Sequence, residues 1–215
     1  MSKDTIVFYH SPQTRGTGIW FLLEELGVPY DMKIVNLKKG ENLEPEFLAI
    51  NPMGKFPTLV HNGMVITEQV ACYLYLADLF PEKGLAPGLN DPKRGAYLRW
   101  MAYQGSSFEP AVIDRALKRE PGDPSIMPYR SFEHMQNTLF DQIAKAPYLL
   151  GDKPYAVDFF WGSTLKWCRQ FGLVETTPVV DDYIERIISR PAFIRTEERD
   201  QALAEELEAV NAEDA

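Results

Sequence analysis

Residues 51–77 read NPMGKFPTLVHNGMVITEQVACYLYLA, and the way this stretch folds decides how the rest of the chain is organised. Two short apolar runs, at 58–60 and 64–66, flank His61, Asn62 and Gly63. An Asn-Gly pair tolerates the positive φ that a tight hairpin needs at both central residues, so the two runs are expected to pair as antiparallel strands. Thr67 and Glu68 then open a helix over VACYLYLADLF that stops before Pro81. The stretch reads as β-β-α.

Toward the N-terminus, TIVFY at 5–9 is β-branched and aromatic, and the polar SPQTRG after it reads as a strand leaving into a loop. From Thr14 to Leu26 the apolar residues Ile19, Leu22, Leu23 and Leu26 recur at helical spacing with Glu24 and Glu25 between them, and Gly27 supplies a stop. MKIVNL at 32–37 reads as a second strand, so the opening is a strand, a helix and a strand joined by a right-handed parallel crossover. Combined with the hairpin, this predicts a four-stranded mixed sheet in the order β-α-β, β-β-α.

Toward the C-terminus, PEKGLAPGLNDPKR is dense in Pro and Gly and breaks every period. The expected domains are therefore 1–82, a linker at 83–91, and an all-helical domain at 92–215. Helical spacing runs over 95–117, is interrupted by EPGDPS, and resumes over 126–144, 156–171 and 179–189, with an acidic tail from Asp200 expected to fray at its end.

Composition narrows the function. The chain has 215 residues, 45% of them hydrophobic, which suffices for two cores. Its net charge is -9, and residues 1–82 carry 6 basic against 10 acidic groups, so the acidity is spread over both halves. Such a surface repels nucleic acid and anionic lipid, and neither is expected as a partner. No apolar stretch approaches the roughly 20 residues of a membrane span, and the N-terminus lacks a secretory pattern, so a cytoplasmic protein is expected. Cys72 and Cys168 lie far apart and in no metal-ligand spacing, so no metal site is expected.

Pro57 stands between a loop and a strand. Cis is adopted by only about 5% of X-Pro bonds, but this proline enters the third strand of the sheet, where the thioredoxin fold carries its cis-proline. With SPQTR after the first strand, NPMGKFPTL before the third and ITEQVACYLYLA opening the third helix, residues 5–80 resemble the glutathione transferases in order and spacing, in particular their serine-type, theta-like bacterial branch. GDKPYAVD near residue 151 extends the resemblance more weakly. The resemblance implies a thioredoxin-like domain followed by an all-helical one, and glutathione as cosubstrate with no permanently bound cofactor. It also implies a hydrophobic small-molecule electrophile and a homodimer.

It implies site residues as well. Ser11 occupies the position of the serine that holds the glutathione thiolate; by itself it reads as a loop or capping serine. A free thiol has a pKa of about 8.5, and lowering it by about 2 units takes about 2.7 kcal/mol, within reach of a hydroxyl donor plus a helix N-terminus. Thr14 is the rival donor or else a helix cap, and Ser11 is favoured. Tyr9 reads as packing. Glu68 and Gln69 match the pair that grips the γ-glutamyl end, although Thr67 and Glu68 also fit a plain capping arrangement. The backbone of Phe56, before Pro57, is the expected partner of the cysteinyl part. Lys55, Lys39 and Asn42 are candidates for the glycyl carboxylate, Asn42 standing where theta-like enzymes often have histidine. Arg15 can serve within the fold or toward a second subunit.

Tyr103, Ser107 and Phe108, with Gln104 and Trp161 near them, are the expected electrophile pocket, core packing being the competing reading for the aromatics. Asp158 falls at the family's buried capping acid, but Tyr155 replaces the usual Ser or Thr, so Asp158 is assigned to folding through backbone N–H groups alone. The leading activity is addition of the glutathione thiolate to an electrophilic carbon. The alternatives are a lyase, isomerase, dehalogenase or reductase on the same fold, or a noncatalytic binding protein; SPQTR contains none of the cysteine that such reductases usually carry.

Overall fold

The computed structural model describes residues 5–120 and 122–213. The chain forms two compact units, one built from the residues up to Leu76 together with those from Arg190 onward, the other from Ala77–Ser189.

The first unit holds the sheet. Strand β1 (Ile6–His10) alternates buried and half-buried residues, turning Ile6, Phe8 and His10 into the core. Helix α1 (Gly16–Leu26) ends at Gly27, whose φ of 61° closes the last turn through a bond to the Leu23 carbonyl. Strand β2 (Tyr30–Ile34) pairs parallel with β1, starting two residues before the predicted strand and ending earlier. Beyond Ile34 the Val35 N–H still reaches the His10 carbonyl at 2.8 Å, but Asn36 then turns the chain by accepting the Lys38 and Lys39 N–H groups. A short helix α2 (Pro45–Leu48) precedes the hairpin of β3 (Thr58–His61) and β4 (Met64–Thr67). Asn62 and Gly63 have φ of 53° and 79°, as the hairpin reading requires.

Strand order is β2-β1-β3-β4, with β3 antiparallel to both neighbours, and α3 (Gln69–Leu79) follows. This is the predicted thioredoxin-like β-α-β, β-β-α domain, and the Phe56–Pro57 bond is cis.

The second unit is helical: α4 (Arg94–Tyr103), α5 (Glu109–Ala116), α6 (Phe132–Ile143), α7 (Ala156–Gln170) and α8 (Pro178–Ile188). The 95–117 helix of the sequence reading is interrupted by a wide π turn at Gln104–Phe108. The 126–144 helix begins only at Phe132, capped by Ser131 accepting the His134 N–H at 3.1 Å. Tyr155 makes no side-chain cap at α7, and Asp158 accepts the Tyr155 and Leu149 N–H groups, each at 2.8 Å. It also accepts the Tyr183 hydroxyl at 3.0 Å, a side-chain partner beyond the backbone groups expected from sequence.

The closing helix α9 (Pro191–Glu213) groups with the sheet, whereas the sequence reading runs the helical domain to residue 215. Arg190 holds Glu25 of α1 through two bonds of 2.6 and 2.7 Å, and Phe193 packs edge-on against Phe21. Beyond Asp200 the helix stays ordered: Glu208 meets Lys38 at 2.6 Å, Asn211 meets Asn36 at 2.8 Å, and regular structure continues through Glu213, while the end of the tail, where fraying is expected, lies outside the described residues.

Candidate glutathione site

Three segments leave the same end of the sheet. Tyr9 pairs with Thr58, and Thr58 pairs with Thr67. Ser11 follows β1, Phe56 and Pro57 precede β3, and Glu68 and Gln69 follow β4, so the register gathers at one edge the residues that the sequence motifs singled out.

Within the first segment, Ser11 is only 2% exposed, and its Oγ makes no hydrogen bond among the described residues. Thr14 is fully engaged: its hydroxyl donates to the Ser11 carbonyl at 2.7 Å and accepts the Gly16 N–H at 3.1 Å, capping the first turn of α1. Gly16 is required here, since a Cβ would lie 2.6 Å from Nδ1 of the buried His10. Gly18 is pressed as closely by Tyr73, whose hydroxyl donates to the Gly18 carbonyl at 2.8 Å. Arg15 is exposed, and its carbonyl accepts Nε2 of Gln69 at 3.1 Å, tying the start of α1 to the start of α3.

In the second segment, Asn51 donates its amide to the Lys55 carbonyl at 2.8 Å and to the Thr58 hydroxyl at 2.9 Å, while its Oδ1 accepts the Met53 N–H. The Phe56 ring packs with Phe47, Val35 and Tyr9, so Tyr9 and this ring are packing residues as expected. The backbone N–H and C=O of Phe56 bond to nothing among the described residues. Lys55 is exposed, as is Lys39, which closes a short 3-10 turn. Asn42 is buried and gives its amide to the Gly54 carbonyl at 2.9 Å, so it braces the loop before Pro57.

In the third segment, Glu68 is exposed with φ 65°, and its carbonyl receives the Cys72 N–H at 2.9 Å, making it the residue from which α3 starts. An exposed carboxylate at a helix N-terminus beside an unpaired peptide edge can hold an ammonium group while the helix end attracts an anion.

Of the expected electrophile pocket, Tyr103 and Ser107 are half-exposed and Phe108 is buried. Phe108 is 1% exposed and stands edge-on to Trp161 at 4.9 Å, and Trp161 is itself buried with its indole N–H on the Trp100 carbonyl at 3.0 Å. Tyr103 packs on Trp100 and spends its hydroxyl on the Met135 carbonyl at 3.0 Å. Phe108 and Trp161 are thus interior residues of the helical unit and Tyr103 is half-buried; the π turn adds a residue to the helix and shifts Phe108 off the 3.6-residue face assumed from sequence. Gln104 is buried and bonded to Glu109 at 3.3 Å.

Sequence reasoning missed Asp200. It is 5% exposed, and its carboxylate accepts His10 Nε2 at 2.7 Å, the Gln13 N–H at 2.9 Å and the Thr17 hydroxyl at 3.1 Å. An acid in an acidic terminal helix reads as solvated surface, and only its spacing from Phe193, two helical turns earlier on the same face, could have suggested burial.

Residues 4–78 match the family described as glutathione S-transferase, N-terminal domain. Over 201 residues the chain is 28% identical to the disulfide-bond oxidoreductase YfcG of Escherichia coli K12, a match covering 87% of the chain and 92% of that protein. A glutathione transferase from Methylococcus capsulatus strain Bath superposes with a TM-score of 0.77 at 25% identity, covering 92% of this chain and 100% of that one. A sphingomonad glutathione S-transferase complexed with glutathione superposes with a TM-score of 0.74 at 24% identity, over 91% and 98% of the two chains, a likeness of fold. Among the described residues no helix is long and apolar enough to cross a membrane, and no group of three or more His, Cys, Asp or Glu side chains could hold a metal ion.

Proposed function

We propose that this protein is a serine-type glutathione transferase in which the Ser11 hydroxyl donates to the sulfur of glutathione and holds it as a thiolate. The observation that carries the reading is the contrast between two hydroxyls of one loop: Thr14 has its proton committed to the Ser11 carbonyl, while Ser11 Oγ is uncommitted among the described residues. The start of α1, five residues on, adds positive potential. The thiol proton leaves to solvent, the thiolate sulfur bonds to an electrophilic carbon of a hydrophobic substrate, and either a leaving group departs or the adjacent carbon takes up a proton. The unpaired N–H and C=O of Phe56 suit the cysteinyl backbone of glutathione, Glu68 its ammonium group, and Lys55 or Lys39 its glycyl carboxylate. Gln69 and Asn42 serve this site by bracing it, through the Arg15 and Gly54 carbonyls.

The test is the ultraviolet thiolate band of bound glutathione at neutral pH in the native protein, Ser11→Ala and Thr14→Ala. The native complex is expected to show the band and Ser11→Ala to lose it. A native complex without the band removes the mechanism, and loss only in Thr14→Ala transfers the role to Thr14.

One observation favours a second reading, glutathione-dependent disulfide reduction: YfcG, matched over 92% of its length, is named a disulfide-bond oxidoreductase. Such a reaction here would run between glutathione and the substrate disulfide, because Cys72 and Cys168 are both buried and burial pushes the Cys72 thiol up to about 12. Turnover of a model disulfide against turnover of an aryl halide, with both cysteines changed to alanine, separates the two readings.

A further inference from the structure

Asp200 straddles Ser11. One carboxylate oxygen takes His10 Nε2, immediately before Ser11, and the other takes the Gln13 N–H and the Thr17 hydroxyl, after it. His10 is fully buried, and Gln13 holds a left-handed φ of 58°, a conformation that a non-glycine residue keeps only when its surroundings enforce it. The Gln13 N–H is the donor that Asp200 fixes, so the carboxylate holds the strained residue itself. These contacts join positions 183 to 190 residues apart in sequence.

We propose that Asp200 is a positioning residue for thiolate formation: the closing helix fixes the His10–Thr17 segment so that the Ser11 hydroxyl points at the glutathione sulfur. This rests on the reading of Ser11 as the thiolate donor. A carboxylate offers two oxygens to three donors, an arrangement for which asparagine has only one oxygen and a competing donor. Asp200→Asn therefore frees the loop without changing the size of the side chain. A misplacement of the donor of even 1 Å is costly for a catalytic hydrogen bond.

The experiment titrates the thiolate band of bound glutathione and measures kcat/KM in the native protein, Asp200→Asn, Thr17→Val and Glu25→Gln. Amide exchange at Gln13 is followed in parallel without glutathione. Asp200→Asn is expected to raise the bound thiol pKa by about one unit, a tenfold loss of thiolate below that pKa, to lower kcat/KM by at least ~10-fold, and to speed Gln13 exchange. Thr17→Val, which removes one donor of three, moves all readings the same way by less. Glu25→Gln loosens the other end of α9 at Arg190 and is expected to lower only stability. If Asp200→Asn lowers stability, or speeds Gln13 exchange, while the thiol titration stays at the native value, the inference is overturned and Asp200 is structural. A native complex that shows no thiolate brings down the Ser11 reading instead, and this inference with it.

Discussion

The hydroxyl of Thr14 donates to the carbonyl of Ser11 at 2.7 Å. Thr14 is thereby a cap, Ser11 is the proposed donor, and the two substitutions should separate cleanly. Thr14→Val is expected to cost about 1 kcal/mol of stability with the thiolate retained. Ser11→Ala should leave stability near native and raise the bound thiol pKa by about 1 to 2 units. Chemical denaturation and titration of the thiolate band, run on both variants, check the pair.

Glu68 and Lys55 are exposed, so whatever charge pairing they make with glutathione acts in a high-dielectric rim. Exposed pairs are worth up to about 1 kcal/mol, so Glu68→Gln and Lys55→Met are each expected to weaken glutathione binding by roughly 2- to 5-fold. Both effects should shrink as salt is raised from 0.01 to about 1 M. Calorimetric titration at two salt concentrations reads this directly.

The edge of the sheet was legible because its signals are local. Asn62-Gly63 demands a tight turn, the turn sets the register of β3 on β4, and the register carries Phe56 and Glu68 to one end. The burial of Phe108 was not legible for an equally physical reason: helical periodicity assumes an unbroken 3.6-residue turn, and the π turn at Gln104–Phe108 breaks it with no proline to announce it before Pro110. Asp200 was hidden by distance, since nothing near residue 200 indicates that its partner is His10. The buried acid at Asp158 was legible as a cap, and its bond to Tyr183, 25 residues on, was not.

Two glycines that look alike in sequence should answer oppositely to alanine. At Gly16 a Cβ meets His10 Nδ1 at 2.6 Å and Thr14 Oγ1 at 3.1 Å, and the His10 ring is tied to Asp200, so Gly16→Ala is expected to cost about 1–3 kcal/mol and weaken glutathione binding. Gly95 lies inside α4, exposed, with nothing within 4 Å of a Cβ, so Gly95→Ala is expected to stabilise by up to about 1 kcal/mol through helix propensity. Thermal unfolding of the two variants beside the native chain tests both signs.

Asp158 should leave a pH signature on stability. Burial pushes its carboxyl up to about 6 from 3.8, against the lowering effect of the Tyr155 and Leu149 N–H groups and the Tyr183 hydroxyl. The folded state therefore holds this proton more tightly than the unfolded chain does. The stability that the group contributes is complete below about pH 4 and is lost as pH rises through about 6, a change of about 3 kcal/mol. Asp158→Asn removes the titration and leaves one of the three donors without an oxygen, a cost of about 1–3 kcal/mol. The native advantage over Asp158→Asn is expected to be larger at pH 4 than at pH 7, as measured by urea unfolding at both. An advantage that grows with pH would mean that the three donors outweigh burial and hold the carboxylate ionised.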